Sequence, residues 1–256
     1  FEDITQGWLL NYESWLRAKG NKETTISIQF RTLRSVYNKA IKRKCVGKEY
    51  YPFEDFHINK FNVHTDKRAI SKNDVLKIIS ADLTGKSEYV KFSRDIFVFS
   101  YLCGGINFCD VASLTKENIL NGRLFYVRQK TGKQINLCLT KNASAIIDKY
   151  YKGGKGFLFP ILDVTRHITA TQRENRLHKV LGQVDKSLKI VAQIAKVDVN
   201  LTTYVARHSY ATVLKRSGVP TSIICESLGH SSERVTQIYL DSFENEQIDE
   251  AMKNLL

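Results

Sequence analysis

Residues 204–240 read YVARHSYATVLKRSGVPTSIICESLGHSSERVTQIYL and hold three side chains whose types suit work on a phosphodiester. Arg207 is always charged and presents a planar fork to two phosphate oxygens. His230 follows Leu228-Gly229 and can donate a hydrogen bond or a proton as charge builds on phosphate. Tyr239 carries a phenolic oxygen that can hold a phosphate covalently. Arg207 and His230 lie 23 positions apart, and His230 and Tyr239 nine. Attack on a backbone phosphate needs such a nucleophile, cations on the nonbridging oxygens, and a proton for the leaving 5′ oxygen. No metal is required, and an ester that retains the bond energy is rejoined without ATP. Singly each residue has a plainer reading. Tyr239 is one of twelve tyrosines, His230 can be a helix-start residue, and Arg207 can pair with an acid.

Jointly, the spacing resembles the C-terminal signature of the tyrosine recombinase (phage integrase) family. It is most similar to mobile-element integrases of Bacteroidetes-type bacteria in its GxNFxD, KTG and YVARHS variants. The family's arginine box matches Ala206-Arg207-His208, its LGH box matches Leu228-Gly229-His230, and its closing tyrosine matches Tyr239. Upstream, RQKTGKQINLCL is similar to the family's β-hairpin, and the resemblance makes Lys130 the general acid for the leaving hydroxyl; the plain alternative is an exposed turn lysine. His208 is expected to buttress Arg207.

Two positions depart from the pattern. Asn107 stands where the family's first arginine is expected, and Asn brings an amide hydrogen bond without charge. Arg94, alone in an apolar run, is the candidate cation for that gap, with Arg128 the second choice. The alternative for Arg94 is a structural pair with Asp95 or Glu88. Tyr204 replaces the histidine of the arginine box; it can donate to phosphate but is a poor acid or base near neutrality, and it is a weak rival nucleophile. Asp110 is read as orienting Arg207 or the substitute arginine.

These residues need elements to position them. Apolar spacing predicts a first helix over Ile4–Ala18, with Trp8, Leu9, Tyr12, Trp15 and Leu16 on its stripe, and a second from Glu23 to Lys44. Ser71 followed by Asp74 reads as a helix start. Ser93–Tyr101 is a further helix. Arg123–Gln129 and Gln134–Leu139 form a hairpin with a glycine in its turn. Helices then follow at Asn142–Tyr151, Arg173–Ile194, Tyr204–Arg216 and Thr221–Leu228. The fold class is mainly α with a small antiparallel β-sheet. The resemblance makes this a helical, SAM-like core-binding domain over 1–61, a linker over 62–70, and a DNA breaking-rejoining catalytic domain over 71–256. A tail helix ends the chain, with Phe243, Ile248, Ala251, Met252, Leu255 and Leu256 on its apolar face.

The 256 residues carry 39 Lys and Arg against 26 Asp and Glu, a formal charge of +13. That excess favours a polyanionic partner, nucleic acid before membrane surface. Ten basic residues and one acid, Glu23, lie between Leu16 and Lys48. Of these, Arg31, Arg34, Lys42 and Lys44 fall off the apolar stripe and are assigned to DNA phosphates. An apolar fraction of 43% excludes disorder as the main state, and no stretch is apolar enough for a transmembrane span. The five cysteines are odd in number, without CxxC pairs, and are expected to be reduced and mostly buried. No metal site is expected, because the histidines and cysteines lack ligand spacing. The chain opens on Phe1, and its one methionine is Met252, so a piece of a longer protein is expected.

The resemblance implies site-specific recombination or integration through a 3′-phosphotyrosyl intermediate, with no cofactor. The partner is double-stranded attachment-site DNA, held between the two domains. A monomer in solution would form a homotetramer on DNA, with accessory DNA-bending factors as further partners, in a bacterial cytoplasm at the nucleoid. Three rivals stand beside it: a catalytically impaired DNA-binding or regulatory protein on the same fold, a type IB topoisomerase-like enzyme, and a helical RNA-binding module.

Overall fold

The computed structural model describes residues 1–62, 69–237 and 240. Tyr239 and the expected tail helix lie outside the described residues. The chain divides into two compact units, Phe1–Asp66 and Lys67–Leu256.

In the first unit, α1 (Gln6–Ala18) begins where the Thr5 side chain accepts from the Trp8 amide, and α2 spans Glu23–Lys42. Leu9 and Leu16 of α1 pack with Ile26, Phe30, Tyr37 and Ala40 of α2. Phe53, Phe56 and Phe61 from the following loop complete this core. Trp8 and Trp15 are not on the buried stripe: both are exposed and stack on either side of Tyr12. Leu9 and Leu16 already fill the face toward α2, so the indoles remain outside. Helix α2 also stops two residues before Lys44. Cys45 N donates to the Ala40 carbonyl and Lys44 N to that of Ile41, a closure that puts Lys44 at φ +58°.

The second unit is built on α4 (Glu88–Leu102), which is buried on most of its faces. Around it pack α3 (Lys72–Ser80), α6 (Lys141–Tyr150), α7 (Ala170–Ile194) and α8 (Thr203–Arg216). Ser71 caps α3 as read from sequence, accepting from the Asp74 amide at 3.1 Å. Helix α7 starts three residues earlier than its apolar pattern suggests, because Thr169 and Gln172 form a reciprocal capping box. Two short elements had no periodic signal: α5 (Phe108–Ser113) and β1 (Ile119–Leu120). The sheet is therefore three-stranded, in the order β1, β2 (Arg123–Val127), β3 (Gln134–Cys138), all antiparallel. Leu124 pairs with Leu137 and Tyr126 with Ile135. The hairpin strands are shorter than predicted, because the chain turns at Arg128, whose amide donates to the Lys133 carbonyl. Helix α9 (Thr221–Leu228) and α10 (Glu233–Gln237) follow α8. Among the described residues no helix is long and apolar enough to cross a membrane.

All five cysteines are free. Cys103 and Cys225 are buried and Cys109 is half-buried, but Cys45 and Cys138 are exposed. Cys138 sits on β3, where its pleat face is turned outward between the half-buried Leu137 and Leu139, so its apolar surroundings in sequence misrepresent its setting.

Asp95 is the buried charge that ties α4 to its neighbours. Its carboxylate accepts from Arg94 Nε at 2.8 Å, Lys149 Nζ at 2.7 Å and Tyr150 Oη at 2.8 Å. Asp95→Ala removes the acceptor of a half-buried hydroxyl and two cations. It should lower the unfolding free energy by about 1–3 kcal/mol, read as a lower urea midpoint at unchanged slope.

Candidate functional site

Arg207 sits in the second turn of α8 on its buried face, 2% exposed. Taking a guanidinium out of water is costly unless its donors are satisfied. Nη1 donates to the Gly105 carbonyl at 2.9 Å, and Nη2 donates to the Leu228 carbonyl. Nη2 also lies 2.9 Å from His230 Nε2. The first carbonyl is delivered by the Gly104-Gly105 turn after α4, in which both residues have positive φ. That turn is held by Gly105 N on the Ser100 carbonyl and Ser100 Oγ on the Ile106 carbonyl. A Cβ on Gly105 would stand 2.8 Å from Arg207 Cα and 2.9 Å from its Cγ. Only glycine allows α8 this close.

His230 is placed by the end of α9. Gly229, at φ +62°, is the left-handed residue of a Schellman closure, with His230 N on the Cys225 carbonyl and Gly229 N on that of Glu226. His230 therefore lies just past a helix end, not at a helix start. It is 2% exposed. Its Nδ1 is 2.9 Å from Thr236 Oγ1 on α10. Arginine can only donate, so Nε2 accepts and the ring proton resides on Nδ1, facing Thr236. Burial, and then the charges of Arg207, Arg128, Lys130 and Lys133, push the His230 pKa down from 6.5 to about 3.

The β2–β3 turn docks on the same spot. Arg128 Nη1 and Thr131 Oγ1 both donate to the Gly229 carbonyl, at 2.8 and 3.1 Å. Lys130 lies between them in sequence and is exposed. Arg128 is 3% exposed, and its Nε has no hydrogen-bond partner among the described residues. Asp110 is buried nearby. Its Oδ1 accepts from the Gln129 amide at 3.0 Å, and burial raises its pKa against the lowering effects of that bond, Arg128 and Arg207. Asp110 thus holds the hairpin backbone, and no hydrogen bond orients an arginine through it among the described contacts.

Arg94 is not in this cluster. It takes the pairing weighed as its alternative, Nε on Asp95 and Nη1 on the Ile79 carbonyl at 3.3 Å. The adjacent buried carboxylate holds it, and the second buried cation near His230, after Arg207, is Arg128 on the neighbouring Gly229 carbonyl. Asn107 and Tyr204 come together elsewhere. Asn107 caps α5, Tyr204 lies in the first turn of α8, and both line a cavity of about 390 Å³ with Phe108, Leu177 and Leu181. Tyr204 packs edge-on to His208 at 4.7 Å between ring centroids.

On the first unit, Arg31, Arg34, Lys42 and Lys44 are all exposed. Arg31 and Arg34 line a groove of about 510 Å³ with Ser27, His57 and Asn59. They continue with Lys39 and Lys42 into a second groove of about 450 Å³. Not every cation of this stretch faces outward alone: Arg17 is paired with Glu13 and Glu23, and Lys19 lies over the Trp15 ring at 3.8 Å. No group of three or more His, Cys, Asp or Glu is placed to hold a metal ion among the described residues.

Residues 68–246 match the phage integrase family, and residues 1–62 the phage integrase SAM-like domain. The chain belongs to the phage integrase family. It is 24% identical over 239 residues to tyrosine recombinase XerD of Halalkalibacterium halodurans, covering 93% of this chain and 77% of that one. To tyrosine recombinase XerA of Pyrococcus horikoshii it is 26% identical over 201 residues, covering 75% and 65%. Among solved structures, a lambda integrase dimer bound to a core site aligns with a TM-score of 0.68 at 16% identity, over 95% of this chain and 84% of that one. The Tn1549 transposon integrase in complex with a circular intermediate DNA gives 0.67 at 15% identity, over 99% and 86%. The chain is a tyrosine-type site-specific recombinase of this integrase family, with its mainly helical two-domain fold.

Within this integrase, sequence spacing named Arg207 and His230, which the fold brings into contact. It did not single out Gly105, Gly229 as a carbonyl acceptor, Thr131 or Thr236. The paired glycines after α4 were a visible signal for a tight turn; the two threonines had none.

Gly105→Ala adds a Cβ in a left-handed backbone conformation, a strain of about 1–2 kcal/mol, and pushes directly on Arg207. The variant should melt at a lower temperature and lose DNA cleavage while duplex affinity in a gel-shift assay stays close to wild type. For His230, NMR of the free protein should show a neutral ring from pH 8 to pH 5. Because its folded pKa is depressed, the unfolded chain binds more protons between pH 6.5 and about 3. Its stabilising contribution is full above that window and is lost as pH falls through it. His230→Asn should flatten the acid side of the stability profile.

Proposed function

We propose that this integrase cuts and rejoins double-stranded DNA at attachment sites through a 3′-phosphotyrosyl intermediate on Tyr239. Tyr239 Oη attacks phosphorus and forms the new P–O bond, and its phenolic proton passes to water. The P–O5′ bond breaks, and Lys130 gives its proton to the leaving 5′ oxygen. Reversal by a 5′-hydroxyl from another strand rejoins the backbone, with the ester supplying the energy.

The observation that carries this reading is the convergence of Arg207, Arg128 and the Lys130 turn around a buried, neutral His230. Arg207 and Arg128 supply charge for the nonbridging oxygens, and Arg128 stands in for the arginine missing at Asn107. Its Nη1 is held on the Gly229 carbonyl, and its buried Nε has no partner among the described residues. His230 contributes a neutral hydrogen bond. Tyr204 supports the site from the start of α8, with Asn107 beside it. Arg31, Arg34, Lys42 and Lys44 hold the duplex through its phosphates, which makes affinity fall steeply with salt. Other solved integrases include a lambda integrase tetramer bound to a Holliday junction. By that analogy, a monomer in solution assembles four copies on DNA, with accessory DNA-bending factors, in the cytoplasm.

A suicide duplex nicked beside the cleavage site tests this. Wild type and Tyr204→Phe should trap a covalent 3′ adduct, and Tyr239→Phe should trap none. Arg128→Ala should slow trapping by about 10²–10³-fold, the usual cost of losing a charge-stabilising donor, whereas Arg94→Ala should not. An adduct that persists in Tyr239→Phe contradicts the nucleophile. Strand exchange between two duplexes, as opposed to relaxation of supercoils, separates a recombinase from a topoisomerase.

A further inference from the structure

His230 faces two different tasks. In the free protein its Nε2 must accept from Arg207 Nη2 at 2.9 Å, because a guanidinium has no lone pair to offer. To assist a phosphate, the same Nε2 must carry a proton and donate. A histidine with both nitrogens protonated could donate to phosphate but could not accept from Arg207, and this one is buried with the charges of Arg207, Arg128, Lys130 and Lys133 acting on it, all positive. The change therefore has to occur within the neutral ring, by moving the proton from Nδ1 to Nε2.

The group facing Nδ1 decides whether that is allowed. A carboxylate or a backbone carbonyl accepts only, and would pin the proton on Nδ1. Here the partner is the hydroxyl of Thr236, at 2.9 Å and fully buried. A hydroxyl both donates and accepts. We propose that Thr236 is the positioning residue that lets His230 exchange tautomers when phosphate draws Arg207 away from Nε2. In the free state Nδ1–H donates to Thr236 Oγ1. In the loaded state Nδ1 gives its proton to water, Nε2 takes one from water and donates to a nonbridging oxygen, and the Thr236 hydroxyl rotates to donate to Nδ1. The ring is neutral before and after, and no hydrogen bond at Nδ1 is lost. Thr236 also lies three residues before Tyr239, so the segment that carries the nucleophile carries the switch.

The inference rests on the proposed role of His230 at the phosphate. Its test uses the full chain with ¹⁵N-labelled imidazoles in a Tyr239→Phe background, free and bound to a duplex containing the mapped cleavage site. The ¹⁵N shifts should report a proton on Nδ1 in the free protein and on Nε2 in the complex. With Tyr239 restored, Thr236→Val, which keeps the shape and removes the hydroxyl, should slow single-turnover cleavage about tenfold, the size of one lost hydrogen bond. It should also blur the tautomer reversal, and Thr236→Ser should restore both. His230→Ala is the control. If it cleaves like wild type, the role of His230 is wrong. If it is slow, while Thr236→Val cleaves like wild type or the ring of the Tyr239→Phe protein keeps its Nδ1 proton on DNA, the Thr236 switch is wrong. The shifts of the Tyr239→Phe protein, in which Thr236 is intact, decide the matter even if the valine variant does not fold.

Discussion

The contact on which the site depends is the buried Arg207 guanidinium, held by the Gly105 and Leu228 carbonyls and the lone pair of His230 Nε2. These partners come from two separate parts of the second unit. Gly105 belongs to the turn after α4, Leu228 to the end of α9, and His230 to the Schellman closure beyond it. A buried guanidinium that loses such partners is left with an uncompensated desolvation cost. The arginine therefore locks α4, α8 and α9 into one arrangement before any phosphate arrives.

The Gly229 carbonyl extends that arrangement to the sheet. It receives Arg128 and Thr131 from the β2–β3 turn, and the turn places Lys130 beside the His230 loop. Ile135 Cδ1 of β3 lies 2.9 Å from where a Gly229 Cβ would stand, a contact with the end of a flexible side chain, so the demand for glycine comes from the left-handed cap. The result is a concentration of positive charge around an imidazole kept neutral by its surroundings. Such a site suits an incoming phosphodiester, whose charge complements the cations and whose oxygens can take over hydrogen bonds now made to protein.

Much of this was legible in the sequence, for physical reasons that differ by residue. Arg207 and His230 showed because several residue types recur at long fixed separations. The helices showed because their apolar stripes repeat at helical spacing, as with Ile26, Phe30 and Tyr37. Helix ends were less visible. Lys44 falls outside α2 and Ala170 inside α7 because capping hydrogen bonds, not hydropathy, set those limits. Trp8 and Trp15 share a helix with the buried Leu9 and Leu16, and only packing against α2 decides which pair goes inside. Arg94 misled because a lone arginine in an apolar run wants an anion, and the anion proved to be its neighbour Asp95. Arg128 was the weaker candidate in sequence because nothing local shows that a strand-end arginine, 101 positions before Gly229, meets its carbonyl.

The central claim is that Arg128 and Arg207 form the positive half of a phosphate site around a neutral histidine. Its most direct test compares cleavage of two duplexes, one with an ordinary phosphodiester at the cut and one with a methylphosphonate, which lacks the negative nonbridging oxygen. If the claim holds, Arg128→Ala fails on the phosphodiester but approaches wild-type cleavage on the methylphosphonate, where no charge remains to be neutralised. An Arg128→Ala enzyme equally deficient on both substrates would contradict it.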